Sequence, residues 1–258
     1  MPDHGLVTSH RAHVKYVRES WRMGEFPGDP NDMEATNQPL NLMIVIASVR
    51  PGRVGGPVGD WIAGVTREHP EFAVTVADLR EIDLPMMDEP NHPRLRQYTH
   101  EHTKRWSALV DAQDAFIFVF PEYNHALSAP LKNAIDYLVQ EWRHKPVGLV
   151  SYGGISGGLR AAQQLKQVVV ALGMMPVPAA VTLPFVKESI SDEGAFVPND
   201  SAARSVETML ADLWRWAIAL RPLRTGAIPA QPIVGDLATV GSGEPGYGTL
   251  GAIPRFHQ

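Results

Sequence analysis

The chain has 258 residues, of which 44% are hydrophobic and 20% are charged, and it contains no cysteine. This is ordinary globular composition, with enough apolar residues for one substantial core. The formal net charge of -5 comes without any block of lysine or arginine, which excludes the basic surface that nucleic-acid-binding proteins need. The lack of cysteine excludes disulfides, zinc-thiolate sites and thiol nucleophiles, and it fits a reducing compartment.

The N-terminal segment carries no apolar core of the kind found in signal peptides. The one long apolar stretch, residues 168–181, is interrupted by Pro176 and Pro178. We therefore expect a soluble, cytoplasmic protein that binds neither membranes nor nucleic acid. The ten histidines are scattered and no HExxH motif or other ligand cluster occurs, so no metal site is predicted.

Three parts are predicted along the chain. Residues 1–39 are polar and are expected to form an N-terminal extension. Residues 40–221 alternate short apolar runs with segments of helical period, which is typical of strand-helix-strand units around a parallel sheet. Pro222 is predicted to end the last helix, and the Gly/Pro-rich residues 222–258 to form a second extension. Aromatic residues in both extensions are costly to leave in water, so we hypothesise that the extensions wrap a neighbouring subunit.

Five apolar runs are predicted strands: residues 41–47, 72–78, 115–121, 146–152 and 176–182. They are almost continuously apolar, which predicts a sheet buried on both faces. Five helices are predicted at about residues 56–68, 97–113, 129–143, 157–173 and 200–220. In an open parallel sheet, ligands bind beyond the carboxyl ends of the strands, so functional residues are expected in the segments that follow the strands.

The segment IASVRPGRVGG, residues 46–56, follows the first predicted strand and opens a helix. Backbone N–H groups at the helix start, the Ser48 hydroxyl, and Arg50 and Arg53 bring donors and positive charge together, which favours a phosphate monoester as ligand. The segment lacks the lysine of a Walker loop and the glycine spacing of a dinucleotide fingerprint. Asp78 lies where a Rossmann fold has its ribose-binding acid, so a nucleotide-binding Rossmann protein is one alternative.

Two further segments are candidates. PEYNHALSAPLKNAIDYL, residues 121–138, displays Tyr123, which can pack on a flat ring, and Asn124, which can hydrogen-bond to one, before a helix begins. SYGGISGGLRAAQQL, residues 151–165, has four glycines between a strand and a helix, and glycine lets backbone amides approach a ligand closely. The alternative for residues 121–138 is a capped turn with solvated polar groups. The alternative for residues 151–165 is a flexible loop.

These three segments, in this order, resemble the NADPH-dependent FMN reductase family, which includes quinone, azo and chromate reductases. The resemblance covers about residues 40–220, and PEYN followed by PLKNAID is its most specific part. It implies an α/β, flavodoxin-like, doubly wound fold with a five-stranded parallel sheet in the order 2-1-3-4-5, to which this chain adds N- and C-terminal extensions. It also implies FMN as cofactor, NADPH or NADH as co-substrate, and a homodimer or homotetramer.

The resemblance also implies site residues at three places. The FMN phosphate is expected at Ser48, Arg50, and the amides of Val54 and Gly55, with Arg53 beside it. The ribityl chain and isoalloxazine are expected along the segment after the third strand, at Pro121, Glu122, Tyr123 and Asn124. The pyrimidine end of the ring is expected near the segment after the fourth strand, at Ser151, Tyr152, Gly153 and Gly154. No catalytic side chain is predicted, because flavin N5 carries the chemistry.

The function implied by this resemblance is that of an FMN-dependent NAD(P)H oxidoreductase. Hydride would pass from nicotinamide to flavin N5 and then to a small acceptor, such as a quinone, an azo compound or another flavin, in a ping-pong cycle. An alternative from a different class is a flavin-binding electron carrier or sensor without substrate turnover of its own. A flavin ring whose face is covered by the protein would favour that alternative.

Overall fold

The computed structural model describes residues 38–228. The strands are β1 (Leu40–Ile46), β2 (Phe72–Asp78), β3 (Ala115–Tyr123), β4 (Ala126–Leu127), β5 (Pro146–Tyr152), β6 (Met175–Pro176) and β7 (Val181–Leu183). The α-helices are α1 (Gly55–Arg67), α2 (Leu79–Ile82), α3 (Glu101–Asp111), α4 (Ala129–Asp136), α5 (Leu159–Ala171) and α6 (Asp200–Thr225). Short 3₁₀ helices span Pro93–Leu95, Gln140–Trp142 and Val186–Ser189. The aromatic residues on which the subunit-wrapping hypothesis rests lie outside the described part.

The sheet has the order β2-β1-β3-β5-β6, with β7 also beside β5 and all of these strands parallel. The predicted flavodoxin-like order is confirmed, with β5 as the predicted fourth strand. The predicted fifth strand is divided into β6 and β7, because Pro176 and Pro178 lack the N–H groups that a continuous ladder requires. The short strand β4 pairs antiparallel with β3 and was not predicted.

Alternate residues of the central strands point to opposite faces of the sheet, and both faces are covered. Leu42 and Ile44 of β1 pack in one buried cluster with residues of α1 and α6. Met43 and Val45 pack in a second cluster with residues of α3, α4 and α5. The prediction of two buried faces holds for β1, β3 and β5. It is wrong for the edge strand β2, where residues such as Val76 are exposed.

Helix α6 continues through Pro222 to Thr225, so the prediction that Pro222 ends it is wrong. Arg224 holds the last turn in place through bonds to the Asp114 carboxylate (2.8 Å) and the Ala217 carbonyl (3.1 Å). These contacts help to offset the backbone hydrogen bond that proline cannot make. Gly226, with φ of 73°, then ends the helix in a left-handed conformation. Neither α6 nor any other helix within residues 38–228 is long and apolar enough to cross a membrane.

Candidate functional site

A cavity of about 360 Å³ lies at the carboxyl ends of the parallel strands, and its volume falls within the range of small-molecule sites. Four segments line it, each at or just beyond the carboxyl end of a strand. They contribute Ser48, Arg50 and Val54 after β1, Pro121, Glu122 and Tyr123 from β3, Tyr152, Gly153 and Gly154 from β5, and Phe185, Val186, Lys187 and Glu188 after β7. The three segments singled out from the sequence therefore meet at one site. Four predicted site residues do not line it: Arg53, Gly55, Asn124 and Ser151.

The start of α1 forms one end of this cavity. Val54 occupies the N-cap position, and no side chain of the described residues caps the helix there. The first-turn N–H groups and the positive end of the helix dipole are thus available to an anion. Arg50 is exposed at the cavity, and among residues 38–228 it has no ion-pair partner. Amides and a free guanidinium together provide an anion site.

Arg53 was expected beside the phosphate, and the structure places it outside the cavity lining, paired with Asp78. Its guanidinium donates to both carboxylate oxygens of Asp78, one of them at 2.6 Å, and to the Ser48 carbonyl at 2.5 Å. Asp78 also accepts from the Arg80 N–H at 3.0 Å and so caps α2. Because its carboxylate is committed to these bonds, Asp78 is not placed as the ribose-binding acid of a Rossmann site. Arg53 instead fastens the loop after β1.

Gly55, the first residue of α1, lies directly against Tyr152. A Cβ atom at Gly55 would come within 2.5 Å of the Tyr152 hydroxyl and 3.1 Å of Ser48 Cβ, so a larger residue requires a shift. The Tyr152 hydroxyl is buried and has no hydrogen-bond partner among residues 38–228, while the Ser48 hydroxyl is 3.2 Å from that of Tyr123. Gly55 therefore supports the wall of the cavity from behind, without facing the open space.

Asn124 and His125 form a two-residue turn between β3 and β4. Both have positive φ, 48° and 68°, as the tight turns that suit a twisted hairpin require. The strand pairing places Glu122 opposite Leu127 and Tyr123 opposite Ala126. Asn124 is therefore exposed at the tip of a hairpin and does not reach the cavity. Asparagine tolerates this backbone conformation better than most residues.

The Glu122 carboxylate joins the hairpin to the loop between β5 and α5, residues 153–158, here called the glycine loop. It accepts hydrogen bonds from the Ser156 hydroxyl (2.9 Å) and the amides of Arg160 (3.0 Å) and Ala161 (3.4 Å), and it pairs with the Arg160 guanidinium at 2.9 Å. Burial opposes its ionisation, but these hydrogen bonds and the Arg160 charge prevail and lower the pKa of Glu122. Glu122 therefore anchors the start of α5, and Arg160 also contacts His125 Nε2 at 2.7 Å.

The two glycine pairs of the glycine loop serve different purposes. Gly157 and Gly158 have φ of 58° and 86°, and a Cβ at Gly158 would lie 2.7 Å from the Tyr152 nitrogen, so this pair makes a tight turn. The buried Ser151 hydroxyl donates to the Gly157 carbonyl at 3.0 Å and supports that turn. Gly153 and Gly154 line the cavity, and a Cβ at Gly154 would meet nothing within 4 Å.

The segment after β7 completes the cavity, and no sequence motif marked it. Phe185 has φ of 47°, an uncommon value for an aromatic residue, and its side chain is 49% exposed. Its N–H donates to the Gly154 carbonyl at 3.1 Å, and the Val186 N–H donates to Gly153 at 3.4 Å. The only available signal was position, since LPFVKES follows a predicted strand. Within residues 38–228, no group of three or more His, Asp or Glu side chains forms a metal site.

Comparison with known proteins agrees with this geometry. The chain is 37% identical over 150 residues to the NAD(P)H-dependent FMN reductase ntnL of Nectria sp, covering 56% of this chain and 75% of the relative. It is 44% identical over 144 residues to the probable NADPH:quinone oxidoreductase 1 of Oryza sativa subsp. japonica, covering 52% and 69%. The fold is similar to that of FerB, a flavoenzyme NAD(P)H:(acceptor) oxidoreductase from Paracoccus denitrificans, with a TM-score of 0.55, 20% identity, and coverage of 69% and 97%.

The family assignment rests on the whole central part of the chain. The sequence profile of the NADPH-dependent FMN reductase family matches residues 40–188, from β1 to the segment after β7. That range includes every residue lining the cavity. The chain belongs to the NADPH-dependent FMN reductase family.

Proposed function

We propose that this protein is an NAD(P)H oxidoreductase that binds FMN, takes hydride from a nicotinamide and passes it to a small acceptor in a ping-pong cycle. The observation that carries the proposal is the 360 Å³ cavity. It joins a helix start and an arginine, neither of which has a side-chain partner in the described part of the chain, to a wall of glycine and aromatic residues. Membership in the reductase family supports the same function. Bound FMN would supply the redox chemistry, because flavin accepts hydride at N5.

The phosphate of FMN fits the end of the cavity beside α1. We assign it to the amides of Val54 and Gly55, the Ser48 hydroxyl and the Arg50 guanidinium. An anion at a helix N-terminus gains from both the free N–H groups and the helix dipole. Arg53 stays paired with Asp78 and holds the Ser48 carbonyl, so its contribution is to position the loop.

The isoalloxazine ring fits the end of the cavity where the hairpin meets the glycine loop. Tyr123 and Phe185 offer aromatic surface, and Gly154 leaves open space. The Gly153 N–H already donates to the Leu183 carbonyl at 3.3 Å, so we assign the Gly154 amide to the polar edge of the ring. An amide in this position would orient the ring and stabilise negative charge on it.

Turnover of a separate acceptor is favoured over a closed carrier or sensor. Tyr123 and Phe185 remain 38% and 49% exposed at the cavity, so the described residues leave this end open. Relatives are named as quinone oxidoreductases and, in a Bacillus species, as an azoreductase. We therefore propose quinones, azo compounds and free flavins as acceptor classes. A homodimer or homotetramer is a further proposal, and a monomer in analytical ultracentrifugation would contradict it.

The test is an anaerobic stopped-flow titration of the FMN-loaded protein with NADPH and NADH, following the loss of flavin absorbance. Rapid bleaching by a nicotinamide, followed by reoxidation by a quinone, is the expected result. Steady-state rates should then give parallel double-reciprocal lines, as a ping-pong cycle requires. Tightly bound FMN that neither nicotinamide reduces would contradict the enzyme proposal and favour a carrier. Failure to bind FMN would contradict the flavin site itself.

A further inference from the structure

Tyr152 carries a buried hydroxyl that nothing in the described chain satisfies. It is the last residue of β5, is 3% exposed, and lines the cavity. Within residues 38–228 no group meets its hydroxyl with hydrogen-bond geometry, although the Ser48 hydroxyl lies near enough to act on its pKa. A Cβ at Gly55 would be 2.5 Å from this hydroxyl. Buried polar groups are normally paired, and an unpaired one costs folding free energy, so this hydroxyl calls for a ligand-based explanation.

The surroundings of the hydroxyl are those of an anion site. Helix α1 has 13 residues and begins at this point without a side-chain cap on Val54. Arg50 lines the same cavity. Burial raises the pKa of Tyr152, against the opposing influence of the Ser48 hydroxyl and of the charges on Arg53 and Arg50. The phenol therefore stays protonated at neutral pH and can act as a donor.

We propose that Tyr152 donates its phenolic hydrogen to the phosphoryl group of bound FMN and so helps the site to distinguish FMN from riboflavin. The inference rests on the proposed function, because it assigns a residue of the same site. It places the Tyr152 side chain at the phosphate end, whereas the resemblance had placed the residue near the pyrimidine end of the ring. Because the Tyr152 hydroxyl is buried here, the proposed contact requires the tyrosine side chain to turn toward the cavity that it lines.

The test compares two ligands and two proteins. Calorimetric titration of the full-length apoprotein with FMN and with riboflavin separates the phosphate from the rest of the cofactor. Tyr152→Phe should weaken FMN binding by about 10-fold or more, as expected for losing a hydrogen bond to a charged group. Its affinity for riboflavin should stay within about two-fold of the wild type, because only FMN carries the phosphate.

Stability of the apoprotein provides a readout independent of the flavin. Tyr152→Phe removes an unpartnered hydroxyl, so its melting temperature should equal or exceed that of the wild type. Tyr137→Phe is the matched control, since that hydroxyl lies within hydrogen-bond distance of two acceptors, the Pro85 carbonyl (3.1 Å) and the Asp88 carboxylate (3.0 Å). The control should lose thermal stability and keep its affinity for both flavins. Inorganic phosphate should also raise the melting temperature of the wild type more than that of Tyr152→Phe.

The outcomes separate this inference from the function on which it rests. Equal weakening of FMN and riboflavin, or no weakening of either, would overturn the role of Tyr152 while leaving the flavin site intact. If the melting temperature of Tyr152→Phe is well below that of the wild type, the hydroxyl is hydrogen-bonded within the fold. That result would also overturn the proposed role of Tyr152. If the wild type binds neither flavin, both proposals fall.

Discussion

Arg53 and Asp78 form a bidentate ion pair that joins the loop after β1 to the end of β2. The two side chains are only 12% and 18% exposed, and Arg53 also holds the Ser48 carbonyl at 2.5 Å. Planar guanidinium and carboxylate groups match in this arrangement, which adds orientation to charge attraction. The pair therefore fixes the backbone of the loop after β1 without any ligand.

Removing Asp78 should destabilise the fold. Asp78→Ala leaves the Arg53 charge largely buried and unpaired, so we expect the free energy of unfolding to fall by about 3 kcal/mol in urea denaturation. Lys104→Ala is the control, because its pair with Glu101 (2.7 Å) has side chains 49% and 72% exposed. That change should cost less than about 1 kcal/mol. Similar losses of unfolding free energy in the two variants would show that the buried Arg53–Asp78 pair stabilises the fold no more than an exposed pair.

Arg50 should act on the phosphate alone. Arg50→Gln removes the unpaired charge at the cavity, so FMN should bind about 10-fold or more weakly while riboflavin affinity is unchanged. Arg67→Gln makes the same charge change in the last turn of α1 and should leave both affinities unaltered. Titrations at low and high salt check the assignment, since the Arg50 effect should shrink as salt rises. An equal loss in Arg67→Gln would indicate a general effect of net charge.

Two neighbouring glycines provide a steric test. Gly55→Ala brings a Cβ within 2.5 Å of the Tyr152 hydroxyl and should lower the free energy of unfolding by about 1–3 kcal/mol. Gly56→Ala meets its nearest neighbour, on the flexible Arg53 side chain, only at 3.9 Å, and should be neutral or stabilising by up to about 1 kcal/mol.

The double variant Gly55→Ala, Tyr152→Phe should recover part of the loss. Without the hydroxyl, the nearest Tyr152 ring atom to the new Cβ is 3.5 Å away, although Ser48 Cβ stays at 3.1 Å. Thermal denaturation of the four proteins measures this coupling. Strict additivity of the two changes would contradict the contact between Gly55 and Tyr152.

Glu122 should make stability depend on pH in the acid range. Its pKa in the folded protein lies below the ordinary 4.5, so its contribution is present above that pH and is lost as pH falls through the folded pKa. Glu122→Gln should lower the free energy of unfolding by about 1–2 kcal/mol at neutral pH, and the difference from wild type should narrow in acid.

Urea denaturation across the acid range measures that difference. Asp192→Asn, a change at an exposed loop position, serves as the control and should follow the wild-type curve. A difference between Glu122→Gln and wild type that stays constant with pH would show that the carboxylate charge is not what anchors α5.

Much of the fold follows from local patterns. The apolar runs predicted four of the main strands to within about two residues at each end, because a strand buried on both faces must be apolar throughout. The fifth was split where Pro176 and Pro178 interrupt the ladder. The hairpin turn at Asn124 and His125 was missed, although asparagine favours positive φ, because β4 has only two residues and no detectable period.

The sequence by itself determined the family, the order of the elements and three of the four segments that line the cavity. The tertiary structure alone decided which polar side chains are free to meet a ligand. Arg50 and Arg53 lie in the same segment after β1, and the sequence does not show which of them is free to bind a ligand. In the structure Arg53 pairs with Asp78, 25 residues further along the chain. Glu122 is likewise bound by Ser156, 34 residues away. Local periodicity reports which face of an element is buried, whereas hydrogen bonds between distant loops depend on where the folded sheet brings their ends together.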